Sequence, residues 1–252
     1  MLRTTMVFLK KNTFSLRGLA VIFAVPVIIA ADRLSEMMAA FQDGAYPGFF
    51  LTAVQLGLED RAMLLLFPVL CALPGAAAYL EDRKCNIYRF VLSRTKRRTY
   101  VTARCLSCGL SGGLSMVLGI LLSCVISFAV FGGLDLSGDT EELTTALQEV
   151  LKLTGLYFLS GFFWSLFGMQ LSLTTKSRYV ACLAPFAAYY ILQMLQQRYF
   201  KKVKLINPES WIVPFRYEFW EQNGLVALFV GMLCLGLFFI LYYSCRRDLK
   251  NV

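Results

Sequence analysis

The 252-residue chain contains no histidine. The commonest general base and the commonest metal ligand are therefore absent, and so is any Ser–His or Cys–His nucleophile pair. Charge is scarce as well. Asp, Glu, Lys and Arg make up 16% of the residues, against about 25% in a soluble domain. The dipeptide Gly-Lys occurs nowhere, which excludes a phosphate-cradling loop of the form G-x-x-x-x-G-K-[ST]. The eight cysteines all lie within the apolar runs or at their expected cytoplasmic ends, and none in an expected outer loop, so a disulfide framework is not expected.

The rest is mostly apolar: 58% of residues are hydrophobic and the mean hydropathy is +0.60. The apolar residues come in long uncharged runs, not in stripes, which marks an integral membrane protein. Ala62–Leu80, Cys105–Leu134, Leu153–Thr175, Tyr179–Gln197 and Gln222–Cys245 are free of charge over 19, 30, 23, 19 and 24 residues. A bilayer-spanning helix needs about 20. Gly18–Ala31 has only 14 and reaches spanning length when Phe14–Arg17 join it, with Arg17 snorkelling to the interface. No Ala-x-Ala site follows "VPVIIAAD", so this run is read as a retained span and not as a cleaved leader. The expected fold is an all-α integral membrane protein with six transmembrane helices. They lie near 14–31, 62–80, 106–131, 153–175, 179–197 and 223–245, in a single domain covering 14–252.

Six spans place both termini on one side. Segments 1–17, 81–104, 176–178 and 246–252 hold most of the 25 Lys and Arg, with only Glu81, Asp82 and Asp248 as acids. The positive-inside rule therefore predicts cytoplasmic termini. The loop 198–221, with Arg198, Lys201, Lys202, Lys204 and Arg216, runs against this bias. Basicity of this origin calls for no nucleic-acid partner.

Residues 1–17 carry Leu2, Met6, Leu9 and Leu16 on one helical face and Arg3, Lys10 and Arg17 on another. This pattern suits an interfacial amphipathic helix on the cytoplasmic leaflet, in contact with membrane lipids. Asp32–Arg61 is expected to be an outer connection lying along the surface, with Gly44, Pro47 and Gly48 as turn signals. Pro26, Pro68, Pro74 and Pro185 fall inside expected spans, where each removes a backbone hydrogen bond.

Between the second and third spans runs "LEDRKCNIYRFVLSRTKRRTYVTAR". Acids come first and bases follow, the order a helix macrodipole favours. Ile87, Phe90, Val91 and Arg94 share a face that could dock on a partner.

Leu110–Gly113 reads Leu-Ser-Gly-Gly, the opening of the signature of ATP-binding-cassette ATPases. Here it sits inside an apolar run and no phosphate loop accompanies it, so the ATPase reading fails. Gly109 and Gly113 instead form G-x-x-x-G, and Cys108, Gly112, Ser115, Gly119 and Ser123 line one helix face. Gly161, Ser165, Gly168 and Ser172 repeat the device in the next span. Small residues let membrane helices approach closely, so both stripes are helix–helix seams, within one subunit or across a dimer. Cys105 and Cys108 lack the further ligands a zinc site requires, and no metal site is expected. Apart from Arg17 at a boundary, the spans contain no ionisable Asp, Glu, Lys, Arg or His. Carriers coupled to protons or sodium usually need such a group, and so do intramembrane hydrolases. Work driven from outside the membrane domain fits better, and no catalytic residue is expected in this chain.

The chain resembles the permease subunits of bacterial type-2 ABC exporters. Four stretches carry the resemblance: the amphipathic N-terminus, "ALPGAAAYLEDRKCNIYRFVLSRTKRRTYVTAR", "LINPESWI" before the last span, and the ending "YYSCRRDLK". Cys85 and Asn86 depart from it, since relatives often carry Gly shortly after the acids. The resemblance implies a multi-pass plasma-membrane protein that exports a peptide, lipid or drug-like substrate. Its partners would be cytosolic ABC ATPase subunits and a second permease copy or paralogue. ATP and Mg would be bound by the ATPase, with no cofactor bound directly here. Glu81, Asp82, Arg83, Lys84, Ile87, Phe90, Val91 and Arg94 would couple to the ATPase, and the loop 198–221 would cap the outer mouth. Exchanging Glu81 and Asp82 for Lys is expected to uncouple the two subunits without unfolding the chain. The rival class is a non-transporting scaffold or sensor subunit.

Overall fold

The structure is a computed structural model that describes residues 2–43, 49–135, 140–201, 203–213 and 223–249. Among these residues every regular element is helical. Four helices are long and apolar enough to cross a membrane: Arg97–Phe131, Thr144–Thr175, Arg178–Arg198 and Leu225–Asp248. They form the apolar parts of α8 (Arg97–Asp135), α9 (Thr140–Thr175), α10 (Arg178–Arg198) and α11 (Asn223–Asp248).

The first two helices, α1 (Leu2–Thr13) and α2 (Leu16–Asp32), meet at a 59° bend and together make a fifth candidate span. The bend has a local cause. Ser15 caps α2 by accepting from the Gly18 amide at 3.2 Å and donates to the Asn12 carbonyl at 2.7 Å. A Cβ at Gly18 would stand 2.0 Å from the Thr13 carbonyl oxygen, so only glycine admits so tight an approach. α1 turns Thr5, Phe8 and Asn12 inward and leaves Leu2, Met6 and Val7 exposed.

The stretch 32–61 departs from the expected surface connection. It contains α3 (Leu34–Asp43) and α4 (Phe49–Glu59), while Gly44, Pro47 and Gly48 lie outside the described residues. α4 is a core element: Leu51, Ala53, Val54 and Leu58 are buried. After a break at Asp60 follows α5 (Arg61–Ala72). The expected run 62–80 stops early because "LPG" at Leu73–Gly75 cannot continue the helix. A turn leads instead into α6 (Ala78–Lys84) and α7 (Ile87–Leu92). Pro26, Pro68 and Pro185 sit inside α2, α5 and α10.

α8 is the axis of the bundle, packed on α1, α2, α4 and α9, while α9 also carries α5, α10 and α11. α8 and α9 run antiparallel. A Cβ at Gly113 would meet Phe158, one at Gly109 Phe162, and one at Gly112 would lie 2.6 Å from the Ser165 Cβ. Ser165 Oγ donates to the Cys108 carbonyl at 2.8 Å across this seam. α4 and α5 together also run antiparallel to α8. The Phe49 ring meets Phe131 with centroids 5.1 Å apart. Further on, a Cβ at Gly112 would lie 2.7 Å from the Cys71 carbonyl, and one at Gly75 would lie 2.4 Å from Ser111 Oγ.

The small-residue stripes thus close seams inside this chain. Gly109, Gly112 and Gly113 face α9, and Gly161 lies between Cys71 and Gly113. Gly119 receives Val25 of α2, and Gly168 receives Ala181 and Pro185 of α10.

Candidate functional site

The charged residues of the 81–104 segment separate into two populations, one turned into the protein and one turned out. The inward set centres on Arg104. Because α8 begins at Arg97, this residue lies two turns inside a helix. It is 1% exposed. Its Nη2 donates to the Ala78 carbonyl at 2.6 Å and lies 2.8 Å from Asp82 Oδ2, and its guanidinium sits 4.8 Å from the Phe8 ring centroid. Asp82 is equally buried, accepts from the Tyr100 hydroxyl at 3.4 Å, and has Lys11 Nζ at 3.7 Å. A buried ion pair of this kind holds together because each charge satisfies the other.

Glu81 and Arg83 also face the body of the protein. Glu81 pairs with Arg17 of α2 at 2.6 Å and with Arg178 of α10 at 3.7 Å. Arg83 donates to Asp248 at the end of α11, and Tyr79 donates to the same oxygen at 3.1 Å. Burial, ahead of the neighbouring Cys245 and Asp248, pushes the Tyr79 phenol above its ordinary pKa, so it remains a donor. α6 is therefore bound by charge to α2, α8, α10 and α11.

This placement corrects one expectation. Asp82 is inaccessible to a partner, and a lysine there would stand against Arg104 in a buried site. The Glu81/Asp82 exchange is therefore expected to destabilise the fold.

The outward set is Lys84, Arg89, Phe90 and Arg94, followed by Lys96, Arg97 and Arg98, all exposed. Phe90 is 75% exposed. Ile87 and Val91 are half-buried and set α7 against the protein, with Tyr88 buried beneath. Asn86 adopts the left-handed conformation (φ 55°) that joins α6 to α7, a geometry Asn tolerates well. Between α1 and α7 lies a groove of about 750 Å³, lined by Arg3, Thr4 and Val7 on one side and Phe90, Val91 and Arg94 on the other. It joins an apolar floor to a cationic rim.

The loop 198–221 does not simply cover the far end. Its segment 203–213 packs into the main core, where Pro208, Trp211, Ile212 and Val213 are buried. Asn207 organises the turn by accepting from the Glu209 amide at 3.1 Å, and Trp211 Nε1 donates to the Leu205 carbonyl at 2.9 Å. The Trp211 ring stacks on Trp164 at 6.3 Å and meets Phe163 and Phe229 edge-on. Gln193 of α10 donates to Glu209 at 3.3 Å. Lys202 and Arg216 lie outside the described residues.

Cys105 and Cys108 are buried on α8, and Cys108 contacts Ser165 of α9. Among the described residues no group of three or more His, Cys, Asp or Glu converges to hold a metal. Sequence reasoning missed Arg104. A signal was present: it stands one step before Cys108 on the same small-residue stripe, so the helical repeat turns it inward with that stripe.

No family model, no curated protein and no solved structure matches this chain.

Proposed function

We propose that this chain is the membrane-embedded half of an ATP-driven exporter, receiving its work through the outward face of α7 and the start of α8. The observation that carries the reading is the groove between α1 and α7, with half-exposed Val91, exposed Phe90 and a surround of Arg3 and Arg94. An aromatic anchor within a cationic rim suits a protein surface better than bulk water. The partner is a cytosolic ATPase subunit that binds ATP and Mg.

This reading calls for six passes. α1–α2 forms one, and α8 to α11 form four. The sixth would be α5, the inner half of the broken helix α4–α5, reaching with the turn at 73–77 towards the Arg104 layer, while α4 continues alongside α8 towards Phe131. The break at Asp60 falls where charges gather: Gln55 donates to Glu149 at 2.9 Å, and Arg33 pairs with Glu36 at 2.6 Å. That belt reads as one membrane boundary, and the Arg104–Asp82 layer as the other. The positive-inside bias puts α6, α7 and both termini in the cytoplasm.

The test is co-purification from native membranes in mild detergent. A nucleotide-binding subunit should accompany the wild-type chain and be lost from the Phe90→Ser/Arg94→Glu variant. Recovery of the wild-type chain alone, in repeated preparations, overturns the reading.

A further inference from the structure

A second cavity, of about 330 Å³, opens where α1 bends into α2. It falls within the range of about 300–1,000 Å³ common to small-ligand sites. Lys11, Asn12, Arg17, Glu81, Asp82 and Arg104 supply its polar lining. Two of these lining residues carry three buried donor atoms with no hydrogen-bond partner: Asn12 Nδ2 and Arg104 Nε and Nη1. The two residues are 4% and 1% exposed. Buried donors are satisfied in the great majority of cases, and leaving one bare costs free energy comparable to a lost hydrogen bond. An acceptor therefore belongs in this cavity.

The charges specify its sign. Lys11, Arg17 and Arg104 of the lining face only two carboxylates, Glu81 and Asp82. The surplus is positive, so an anion completes the site. The start of α2 adds to it, since Ser15, Leu16 and Arg17 line the same cavity and a helix N-terminus favours negative charge. A guanidinium edge with free N–H groups matches the oxygens of a phosphate.

The rim tells how the phosphate arrives. Leu16 lines the cavity and is 87% exposed, and Phe14, one residue before the cap, is 60% exposed. Apolar side chains beside a cationic pocket suit an acyl chain below a headgroup. We propose that the α1–α2 cavity binds a phosphate group, presented by a phospholipid headgroup, through Arg104, Asn12 and Lys11. This site is separate from the α7 groove, and its test needs no ATPase, so its outcome is independent of the exporter reading.

The experiment uses the full chain in dodecyl-maltoside micelles. Phosphatidylglycerol, diacylglycerol with the same chains, and inorganic phosphate are added separately, with binding read by native mass spectrometry and by the unfolding midpoint. Variants are Lys11→Gln, which alters a side chain 58% exposed, Asn12→Leu, and Lys96→Gln as a surface-charge control. Expected is retention of phosphatidylglycerol but not diacylglycerol, weakened about tenfold by Lys11→Gln or Asn12→Leu, or about 1.4 kcal/mol, and unchanged by Lys96→Gln. Should inorganic phosphate raise the midpoint of wild type but not of Lys11→Gln, while phosphatidylglycerol binds no better than diacylglycerol, the site takes phosphate from solution. Equal retention of phosphatidylglycerol by wild type and Lys11→Gln, with no phosphate effect, overturns the proposal even if Asn12→Leu fails to fold.

Discussion

Replacing Asp82 with Leu removes the carboxylate that faces Arg104. Both side chains are 2% exposed, so the guanidinium cannot swing out to water. It would keep the Ala78 carbonyl and the Phe8 ring, neither of which carries a charge. Breaking a buried pair from one side costs about 3–5 kcal/mol, and the Asp82→Leu variant is expected in the upper half of that range. Arg104→Leu is expected near 3 kcal/mol, the lower end of the same range, because Asp82 retains Lys11 at 3.7 Å and the Tyr100 hydroxyl at 3.4 Å. The double variant leaves no uncompensated pair at this layer and recovers a coupling energy of about 2–3 kcal/mol. Reversible unfolding in mixed micelles with increasing dodecyl sulfate measures all three. Additive single effects, or a loss below about 1 kcal/mol for Asp82→Leu, would show that the pair is open to solvent and refute the reasoning.

Other outcomes follow from the same packing. Gly112→Val would drive a side chain into Ser165 and the Cys71 carbonyl and should lower stability by about 1–3 kcal/mol, whereas Gly231→Ala, with nothing within 4 Å of the added carbon, should leave unfolding unchanged. Trp211→Ala empties the ring cluster around Trp164 and should cost about 3–5 kcal/mol, checked by the same unfolding assay together with tryptophan fluorescence. The half-exposed Arg17–Glu81 pair should contribute at most about 1 kcal/mol. Arg17→Gln is then expected to lose stability at low salt and match wild type near 1 M salt.

Much of the architecture was legible because it rests on periodicity and run length. The uncharged stretches after Arg104, Lys152, Arg178 and Gln222 all lie within long helices, and the stripe through Gly112 meets the one through Gly161. Two things were not legible. Glu59, Asp60 and Arg61 interrupt the apolar signal, so α4 read as a surface segment although it packs against α8. Nothing local distinguishes a charge that ends a helix from one that breaks it. The acids after Leu80 read as surface groups because their partners, Arg17, Arg104, Arg178 and Asp248, are distant in the chain or lie in other helices. Only the turn at Leu73–Ala77 brings them together, and its direction is set by packing, not by propensity. Trp211 was hidden for a similar reason, since a polar, proline-containing loop gives no sign that this indole is buried.

The seven residues of α6 are lashed to four long helices by Arg17, Arg104, Arg178 and Asp248. A strut moored at so many corners has little slack of its own. A push delivered to α7 would pass through Asn86 to α6 and from there most firmly to α8, through the buried Asp82–Arg104 pair, while the half-exposed pairs to α2, α10 and α11 would yield more readily.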